Sequence, residues 1–542
     1  MENEVTQEQE QEQEQTQEER IQLQGLKSSS DDVKQVVYSP KNMHGRRVIT
    51  TNEAEINAGN VVKVLNDALQ IHARNRSEIE YLYNYTRGIQ PVIWRTKKVN
   101  NDICNRIVVN HANEIVTFKT ANFIGEPLQY VSRGNDPAIP GKIEKLNSLM
   151  LSENKASKDM ELAYSMFIAG AGYRLVLRDK LEDVFYGELL DEAPFEIYTL
   201  DPRNTFVVRL NDVKKRVVMA VTYVYKTQSE IVYSVYTKDT LFEISGSQTS
   251  AGKIIGEHKY DFGMVPIIEY PCNMLRTGAF EIVMDSLNAI NTAESNRLDG
   301  VEQFIQALLV FDGVNITKEK IEEAREMKAI VMPPAMAGQS GRQGVYYLNE
   351  QLDQGQTQTL VDALYEEVLQ IVGIPSQGLA NTNDSSNNGA VMLKNGWWNA
   401  EARAKETIAM WKQAETDFLK IVLKICNDAN ILDLKVSDIE QKFGRSSYED
   451  KLTKVQSFTT MMGAGCPPLQ AYTVSGIVAD PESAAMQYEQ YQEEQKAEEL
   501  ENYAKELAEA QKRGMSQNTE NTDNAQNAQG ADTSEETNND DA

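Results

Sequence analysis

Gly134, Gly141 and Lys142 are the residues to consider for a nucleotide-binding loop. A loop that cradles phosphates has the pattern GxxxxGK[ST], in which the last hydroxyl holds Mg²⁺. Here the glycines have the wrong spacing, and Ile143 stands where Ser or Thr is needed. The sequence therefore predicts that this chain does not hydrolyse ATP.

The histidines and cysteines are too scattered for a local metal or hydrolytic motif. Neither HExxH nor GxSxG occurs, and no CxxC pair is present. No signal-peptide pattern precedes the cysteines, which predicts reduced thiols in a cytosolic setting. The carboxylates are abundant, but no base or ligand singles one out. We therefore expect no catalytic residue, no metal, no cofactor and no enzymatic activity.

The acidic charge lies mostly at the two ends of the chain. The formal net charge is −27, of which residues 1–20 carry −7 and residues 482–542 carry −12. Acidic segments repel themselves and usually stay solvated, although some bind partners. We predict mostly disordered segments at 1–52 and 513–542. No apolar run approaches the roughly 18 residues of a membrane span, so no membrane anchor is expected.

The elements between these ends predict an α+β fold. Helical periodicity covers about 53–123, where Ile103 and Ile107 continue the spacing, and about 140–169. Short runs rich in Val, Ile, Tyr, Phe and Thr then predict strands. These strands are expected at 173–177, 195–200, 205–210, 217–225 and 231–236, with a last strand near 263–270.

Two amphipathic helices are predicted after this domain, at 280–311 and 356–373, with a small α/β insertion at 312–355 between them. Gly373 and Pro375 end the second helix. The first helix carries an apolar stripe for packing within or between subunits. Its members are Val283, Leu287, Ile290, Leu298, Val301, Phe304, Ile305 and Leu308.

A polar loop at 374–388 and a long helix at 389–430 follow. The loop contains no cation and cannot bury itself, and Gly396 is a plausible kink in the helix. Trp397, Trp411 and Phe418 are expected to pack along this helix. Trp397 and Trp398 point about 100° apart on a helix, which favours packing over a stacking platform for bases. A strand-like segment at 432–443 and helices at 447–462 and 481–512 complete the pattern, the last behind Asp480 as N-cap.

Several stretches resemble the Gp6-like portal proteins of tailed bacteriophages, of the siphophage type. The order of these stretches along residues 75–490 carries the resemblance. They are Tyr83–Gly88 with Gln90-Pro91, Asn105–Asn110, Phe123–Pro127, Gly263–Tyr270 and Ser295–Phe304.

The resemblance implies a portal fold and a cyclic oligomer, with twelve subunits in the ring. It implies a wing at 53–279, stem helices at 280–311 and 356–373, a clip at 312–355, a tunnel loop at 374–388, a long kinked wing helix at 389–430 and a helical crown at 431–512. Its implied partners are double-stranded DNA in the channel, the terminase large subunit, a head-tail connector or adaptor, and the major capsid and scaffolding proteins. The implied location is the portal vertex of the virion, after assembly in the host cytoplasm.

The tunnel loop would line the DNA channel on this resemblance. A cation-free loop suits a channel in which DNA slides, because each phosphate contact would raise affinity and retard movement. An ordinary flexible surface loop is the alternative. The loop residues in question are Gln377, Asn381, Thr382, Asn383, Asp384, Ser385, Ser386, Asn387 and Asn388.

Two other functions remain compatible with the sequence. A non-enzymatic intracellular helical scaffold or adaptor would also have acidic ends, long helices and no catalytic motif. A nuclease that uses scattered carboxylates and Mg²⁺ would leave no local motif either. Rings seen by electron microscopy would favour the portal, and metal-dependent DNA cleavage would favour the nuclease.

Overall fold

The structure is a computed structural model of the 542-residue chain. The residues it describes are 45–97, 102–133, 136, 138–178, 193–227, 230–305, 308–312, 344–348, 354–375, 397–443, 451–478 and 480–527.

Ten helices and thirteen strands are formed by the described residues. The helices are α1 (Val61–Thr86), α2 (His111–Ile124), α3 (Ile139–Ser152), α4 (Lys155–Ala169), α5 (Met284–Ile305), α6 (Gln354–Val372), α7 (Trp397–Asp428), α8 (Lys451–Gly463), α9 (Pro468–Ser475) and α10 (Pro481–Asn527). The strands are β1 (Ile49–Thr51), β2 (Leu128–Ser132), β3 (Ala171–Arg178), β4 (Phe195–Leu200), β5 (Thr205–Leu210), β6 (Val217–Tyr225), β7 (Ile231–Tyr236), β8 (Thr240–Ser247), β9 (Ser250–Lys259), β10 (Ile267–Pro271), β11 (Leu308–Asp312), β12 (Gly344–Leu348) and β13 (Ile439–Phe443).

A six-stranded sheet of order β1-β5-β6-β7-β8-β9 forms one core with α1. Strands β5 to β9 pair in antiparallel fashion, and β1 is parallel to β5. The helix contributes Val61, Val64, Leu65, Ala68 and Leu69, which all lie on one face because their spacing follows the helical turn. The burial of this stripe against the sheet holds α1 in place.

A three-stranded antiparallel sheet of order β10-β3-β4 packs against α4 and α7. The approach to α4 is close at Gly172, where a Cβ atom would lie 2.8 Å from the Leu162 side chain. Gly170 ends α4 in the left-handed region, with φ of 85°. Two-stranded sheets join β11 to β12 and β2 to β13.

The mixed α+β class is confirmed, and the strands predicted between residues 173 and 236 are observed. Four predicted strands, at 195–200, 205–210, 217–225 and 231–236, have the observed bounds of β4 to β7. The helical prediction at 53–123 was wrong for Ile103 and Ile107, which lie outside α1 and α2. Pro91 lies between those two helices and interrupts the periodicity.

The first amphipathic helix is shorter than predicted. It ends at Ile305, and Leu308 lies in strand β11, which pairs with β12. The run Leu308–Asp312 is rich in β-formers, and cross-strand pairing overrides the helical spacing. The second helix, α6, begins at Gln354 and ends at Val372, close to prediction. Gly396, the expected kink, lies outside the described residues.

A second compact unit comprises residues 131–140 and 447–542 and contains α8, α9 and α10. Asp480 is confirmed as the N-cap of α10, because its Oδ1 accepts hydrogen bonds from the N–H groups of Glu482 and Ser483 at 3.1 and 3.0 Å. The helix continues to Asn527, into the segment from residue 513 for which the sequence predicts disorder. The segment predicted as a strand at 432–443 forms β13 only at its end.

Candidate assembly site on the paired helices

Helices α5 and α6 pack against each other. The apolar stripe predicted on α5 has a buried part and an exposed part. Val283, Leu287 and Ile290 are buried within the subunit, whereas Leu298 is 41% and Val301 45% exposed. The side chains of Phe304, Ile305 and Leu308 lie outside the described residues. The exposed half of the stripe therefore offers apolar surface that the described part of this subunit does not cover.

A second stripe on α5 is polar and faces the chain between α1 and α2. It consists of Asn288, Asn291, Ser295, Asp299 and Glu302, and we call it the polar stripe. The residues recur every three or four positions, which places them on one helix face. Sequence reasoning missed this stripe, although its spacing is visible.

The N-terminal part of the polar stripe, Asn288 and Asn291, binds the end of α1 and the residues after it. The Tyr85 hydroxyl donates to Asn288 Oδ1 at 3.0 Å. Asn291 is fully buried, and it donates to Gln90 Oε1 at 2.5 Å and accepts from the N–H of Val109 at 2.8 Å. Buried amides are satisfied here by distant partners, as a stable interior requires.

The C-terminal part of the stripe, which includes Ser295 and Asp299, accepts hydrogen bonds from backbone N–H groups at regular intervals. Ser295 Oγ accepts from the N–H of Ile107 at 3.0 Å, and Asp299 Oδ1 accepts from the N–H of Asn105 at 2.7 Å. Together with the bond from the N–H of Val109 to Asn291, these contacts form a regular series. Every second residue of the extended chain donates its N–H to every fourth residue of the helix. Two residues of extended chain span about 6.6 Å and four helical residues about 6 Å, so the two periods match.

Asp299 is the charged centre of this contact. Arg95 and Lys97 approach Asp299 Oδ2 at 2.7 and 2.6 Å. Burial alone would raise the pKa of Asp299, but hydrogen bonds from Lys97, Asn105 and Arg95 outweigh it and lower the pKa to about 2. The carboxylate is therefore ionised at neutral pH and ties Arg95, Lys97 and Asn105 to α5.

A cluster of four buried charges lies where α4, β3 and α7 meet, and we call it the buried charge cluster. It consists of Lys155, Asp159, Arg174 and Glu415, whose side chains are at most 5% exposed. Lys155 Nζ lies 2.6 Å from Asp159 and 2.9 Å from Glu415. Arg174 bonds to Asp159 and lies 3.6 Å from Glu415. Two cations and two carboxylates thus balance in the interior.

Two tyrosines complete the contacts of Glu415. The hydroxyls of Tyr130 and Tyr270 donate to its carboxylate oxygens at 2.5 and 2.7 Å. Burial opposes ionisation of Glu415, but Lys155 and Arg174 lower its pKa below the ordinary value. Burial and the Glu415 charge raise the pKa of both tyrosines well above the ordinary value. Glu415 therefore stays ionised, and both tyrosines keep their hydroxyl protons at neutral pH.

The aromatic residues of α7 lie at different depths. Trp411 and Phe418 are fully buried, and Trp411 contacts the rings of Phe123 and Tyr270. Trp397 is half-buried, with its ring centroid 6.2 Å from that of Phe118. Within the subunit α7 is thus fixed by its middle, through Trp411, Phe418 and Glu415.

The described residues contain no grouping for metal chemistry. No three His, Cys, Asp or Glu side chains in this part of the chain are arranged to hold a metal ion. His72 is buried beside Phe206, and burial, assisted by Arg76, lowers its pKa to about 3. No described helix is long and apolar enough to cross a membrane. The predicted channel loop, from Gln377 to Asn388, lies outside the described residues.

The sequence matches the family of phage portal proteins, SPP1 Gp6-like, over residues 65–513. The chain therefore belongs to this family, whose members are structural and non-enzymatic. No curated protein sequence matches the chain.

Three solved structures from gene transfer agent particles are similar at low identity. A chain of the virion of the native gene transfer agent is 12% identical, with a TM-score of 0.39, and the match covers 74% of this chain and 94% of that one. Chains from the neck of the empty particle, computed with C6 symmetry, and of the native particle, computed with C12 symmetry, are 14% and 13% identical. Their TM-scores are 0.38 and 0.37, and both matches cover 68% of this chain and 90% of theirs.

Proposed function

We propose that this chain is one subunit of a ring-shaped portal through which DNA enters and leaves the capsid of a tailed bacteriophage. The family match over residues 65–513 is the observation that carries this proposal. The ring would be a cyclic homo-oligomer, twelve subunits in the virion, at the portal vertex. Assembly in the host cytoplasm would precede its incorporation into the virion.

The parts of the portal would follow the chain order. We assign the wing to 53–279, the stem to 280–311 and 356–373, the clip to 312–355, the tunnel loop to 374–388, the long wing helix to 389–430 and the crown to 431–512. The sheet and helix packing around α1 and α4 supports a compact wing. The α5–α6 pair supports a two-helix stem.

The stem would form the contact between neighbouring subunits. Leu298 and Val301 are the described apolar side chains of the stem stripe that their own subunit leaves exposed. A cyclic ring uses a heterologous contact, in which one face of each subunit meets a different face of the next. The polar stripe would fix α5 to the wing, so that the exposed half keeps its orientation in the ring.

The tunnel loop would line the channel and touch DNA weakly. Its residues carry one acidic side chain, Asp384, and no cation, so it offers little to hold phosphates. Further partners would be the terminase large subunit, which supplies ATP hydrolysis, a head-tail connector or adaptor at the clip, and the major capsid and scaffolding proteins around the wing.

Electron microscopy of the purified full-length chain tests the ring. We expect rings with a central hole. Monomers or rods under conditions that favour assembly would contradict the portal assignment and favour a scaffold.

Deletion of Asn381–Ser386 tests the channel role separately. We expect rings that assemble normally but package DNA poorly, because the channel lining is altered. Removal of six residues from the predicted disordered tail, Thr533–Asn538, is the control of equal length and should leave packaging unchanged. Normal packaging by the loop deletion would sink the proposed role.

A further inference from the structure

A large open cleft lies beside the six-stranded sheet, β10 and the middle of α7, all within the compact unit of residues 1–130 and 141–446. Its volume is about 1390 Å³. Pockets for small molecules usually hold about 300–1,000 Å³, so the cleft suits a peptide better. Eight Lys and Arg residues line it, against five Asp and Glu residues. The lining therefore has an excess of positive charge.

Three of the lining lysines have no ionic partner within the described part of the chain. Lys214, Lys215 and Lys259 are exposed, and none has a carboxylate within 4.0 Å among the residues that the structure describes. Other cations of the cleft are paired, for example Arg276 with Glu269 at 2.8 Å. Two lining carboxylates, Asp239 and Glu257, are exposed as well, but the three amines outnumber them and face solvent, where an anionic chain could reach them.

The first described residues run along the edge of this cleft. The N–H of Arg46 donates to the carbonyl of Arg276 at 3.1 Å, and Arg276 and Val48 both line the cleft. Gly45 has φ of 81°, and a Cβ atom on it would lie 2.0 Å from the Leu275 carbonyl oxygen. Only glycine fits this approach without displacement.

The Arg46 side chain fixes this edge from inside. Its guanidinium is buried and lies 3.3 Å from Glu78 and 2.6 Å from Glu281. A buried cation between two carboxylates resists displacement, because moving it would leave charges unpaired. The position from which residues 1–44 extend is therefore held beside the cleft.

We propose that the Glu/Gln-rich segment of residues 1–20 docks in this cleft of its own subunit. The segment carries a charge of −7, which complements Lys214, Lys215 and Lys259. The 24 residues between Arg20 and Gly45 can span at most about 80 Å, enough to reach the lysines. Attachment beside the cleft also keeps the local concentration of the segment high, on the order of millimolar, so weak ion pairs are sufficient.

Docking closes the cleft to other polyanions. Glutamate carboxylates and DNA phosphates would compete for the same three amines, and the tethered segment has the advantage of proximity. The acidic segment thus occupies a basic surface that DNA would otherwise contact non-specifically. This inference concerns a single subunit and does not depend on ring formation.

Zero-length carbodiimide cross-linking of the full chain tests the contact directly. Trypsin cleaves after Arg20 and releases the segment for mass spectrometry. We expect links from residues 1–20 to Lys214, Lys215 and Lys259 to exceed links to three exposed control lysines outside the cleft, Lys63, Lys226 and Lys253. The excess should vanish in 1 M salt, where the screening length falls to about 3 Å.

Isotope mixing identifies the chain that supplies the segment. Unlabelled and ¹⁵N-labelled chains are mixed before assembly, and the linked peptides are weighed. Links within one isotope are expected. Links between isotopes, or equal yields on all six lysines, would overturn the proposal.

Amine footprinting provides a second readout. The variant has Gln at all eight glutamates of the segment, Glu2, Glu4, Glu8, Glu10, Glu12, Glu14, Glu18 and Glu19. Acetylation of Lys214, Lys215 and Lys259 should become roughly twofold to fivefold faster, the range of a weak ion pair. The rates at Lys63, Lys226 and Lys253 should not change. Unchanged rates at the cleft lysines would contradict docking, whatever the oligomeric state of the variant.

Discussion

The buried charge cluster and the polar stripe both join distant parts of the chain, but they differ in access to water. The cluster side chains are at most 5% exposed, whereas Arg95 and Lys97, the two cations that bind Asp299 of the stripe, are 14% and 25% exposed. Water can replace Asp299 as the partner of these two cations and cannot replace a lost partner in the cluster. Removal of one charge should therefore cost much more free energy of unfolding in the buried charge cluster than in the polar stripe.

Glu415→Gln is expected to cause the largest loss in the free energy of unfolding. The change leaves Lys155 and Arg174 with one carboxylate between them in the interior, which costs about 3–5 kcal/mol. Urea unfolding of unassembled subunits measures it. Asp417→Asn on the same helix, where the carboxylate is exposed, is the control and should cost less than about 0.5 kcal/mol. Equal losses in the two variants would show that burial does not set the cost.

A smaller loss is expected for Asp299→Asn. The amide keeps a hydrogen-bond acceptor, but the charge that holds Arg95 and Lys97 is removed, at a cost of about 1–3 kcal/mol. The same urea experiment measures it, again beside Asp417→Asn. A loss greater than that of Glu415→Gln would reverse the comparison between the two regions.

The contribution of Asp299 should disappear in acid. Its pKa is about 2 in the folded chain and about 3.9 when unfolded. A lowered folded pKa adds stability that is complete above about pH 4 and is lost as the pH falls through 2. The difference in unfolding free energy between the parent and Asp299→Asn should shrink from pH 5 to pH 2.5. A constant difference would mean that the charge of Asp299 does not contribute.

The smallest effect on subunit stability is expected for Leu298→Asp with Val301→Asp. Both side chains are exposed in the subunit, so the cost should stay below about 0.5 kcal/mol each. Rings should nevertheless fail to form, because the substitution puts charge into the proposed contact between subunits. Electron microscopy and light scattering measure this, with Val213→Asp, fully exposed elsewhere, as control. Normal rings from the double variant would place the contact on another surface.

Sequence patterns were enough to predict β5, β6 and β7 of the six-stranded sheet but not β1, β8 or β9. Strands β4 to β7 are rich in β-branched and aromatic residues, which is a local signal. Strand β9 contains Gly252 and Gly256 and is mostly exposed. Its pairing with β8 comes from the neighbouring strand, because its own residues have little preference for a strand.

The two polar regions differ in how far the sequence could reveal them. The polar stripe lies on one helix, and its spacing from Asn288 to Glu302 is readable once polar residues are tested for periodicity as apolar ones are. The buried charge cluster has no such signal. Lys155 and Asp159 resemble an ordinary surface pair one turn apart, and Glu415 reaches them only through the tertiary fold. The predicted channel loop lies outside the described residues, so its role stays a prediction.

The wide sequence separation within the buried charge cluster has a consequence for biosynthesis. Tyr130 and Glu415 are 285 residues apart. A ribosome adds about 5–20 residues per second, so Tyr130 is made roughly 15–60 s before its carboxylate partner exists. During that interval Lys155 and Arg174 have only Asp159 to neutralise them, and Trp411 is not yet present to cover them. The three-stranded sheet therefore cannot close its interior until α7 has left the ribosome, which makes its completion a late event in synthesis.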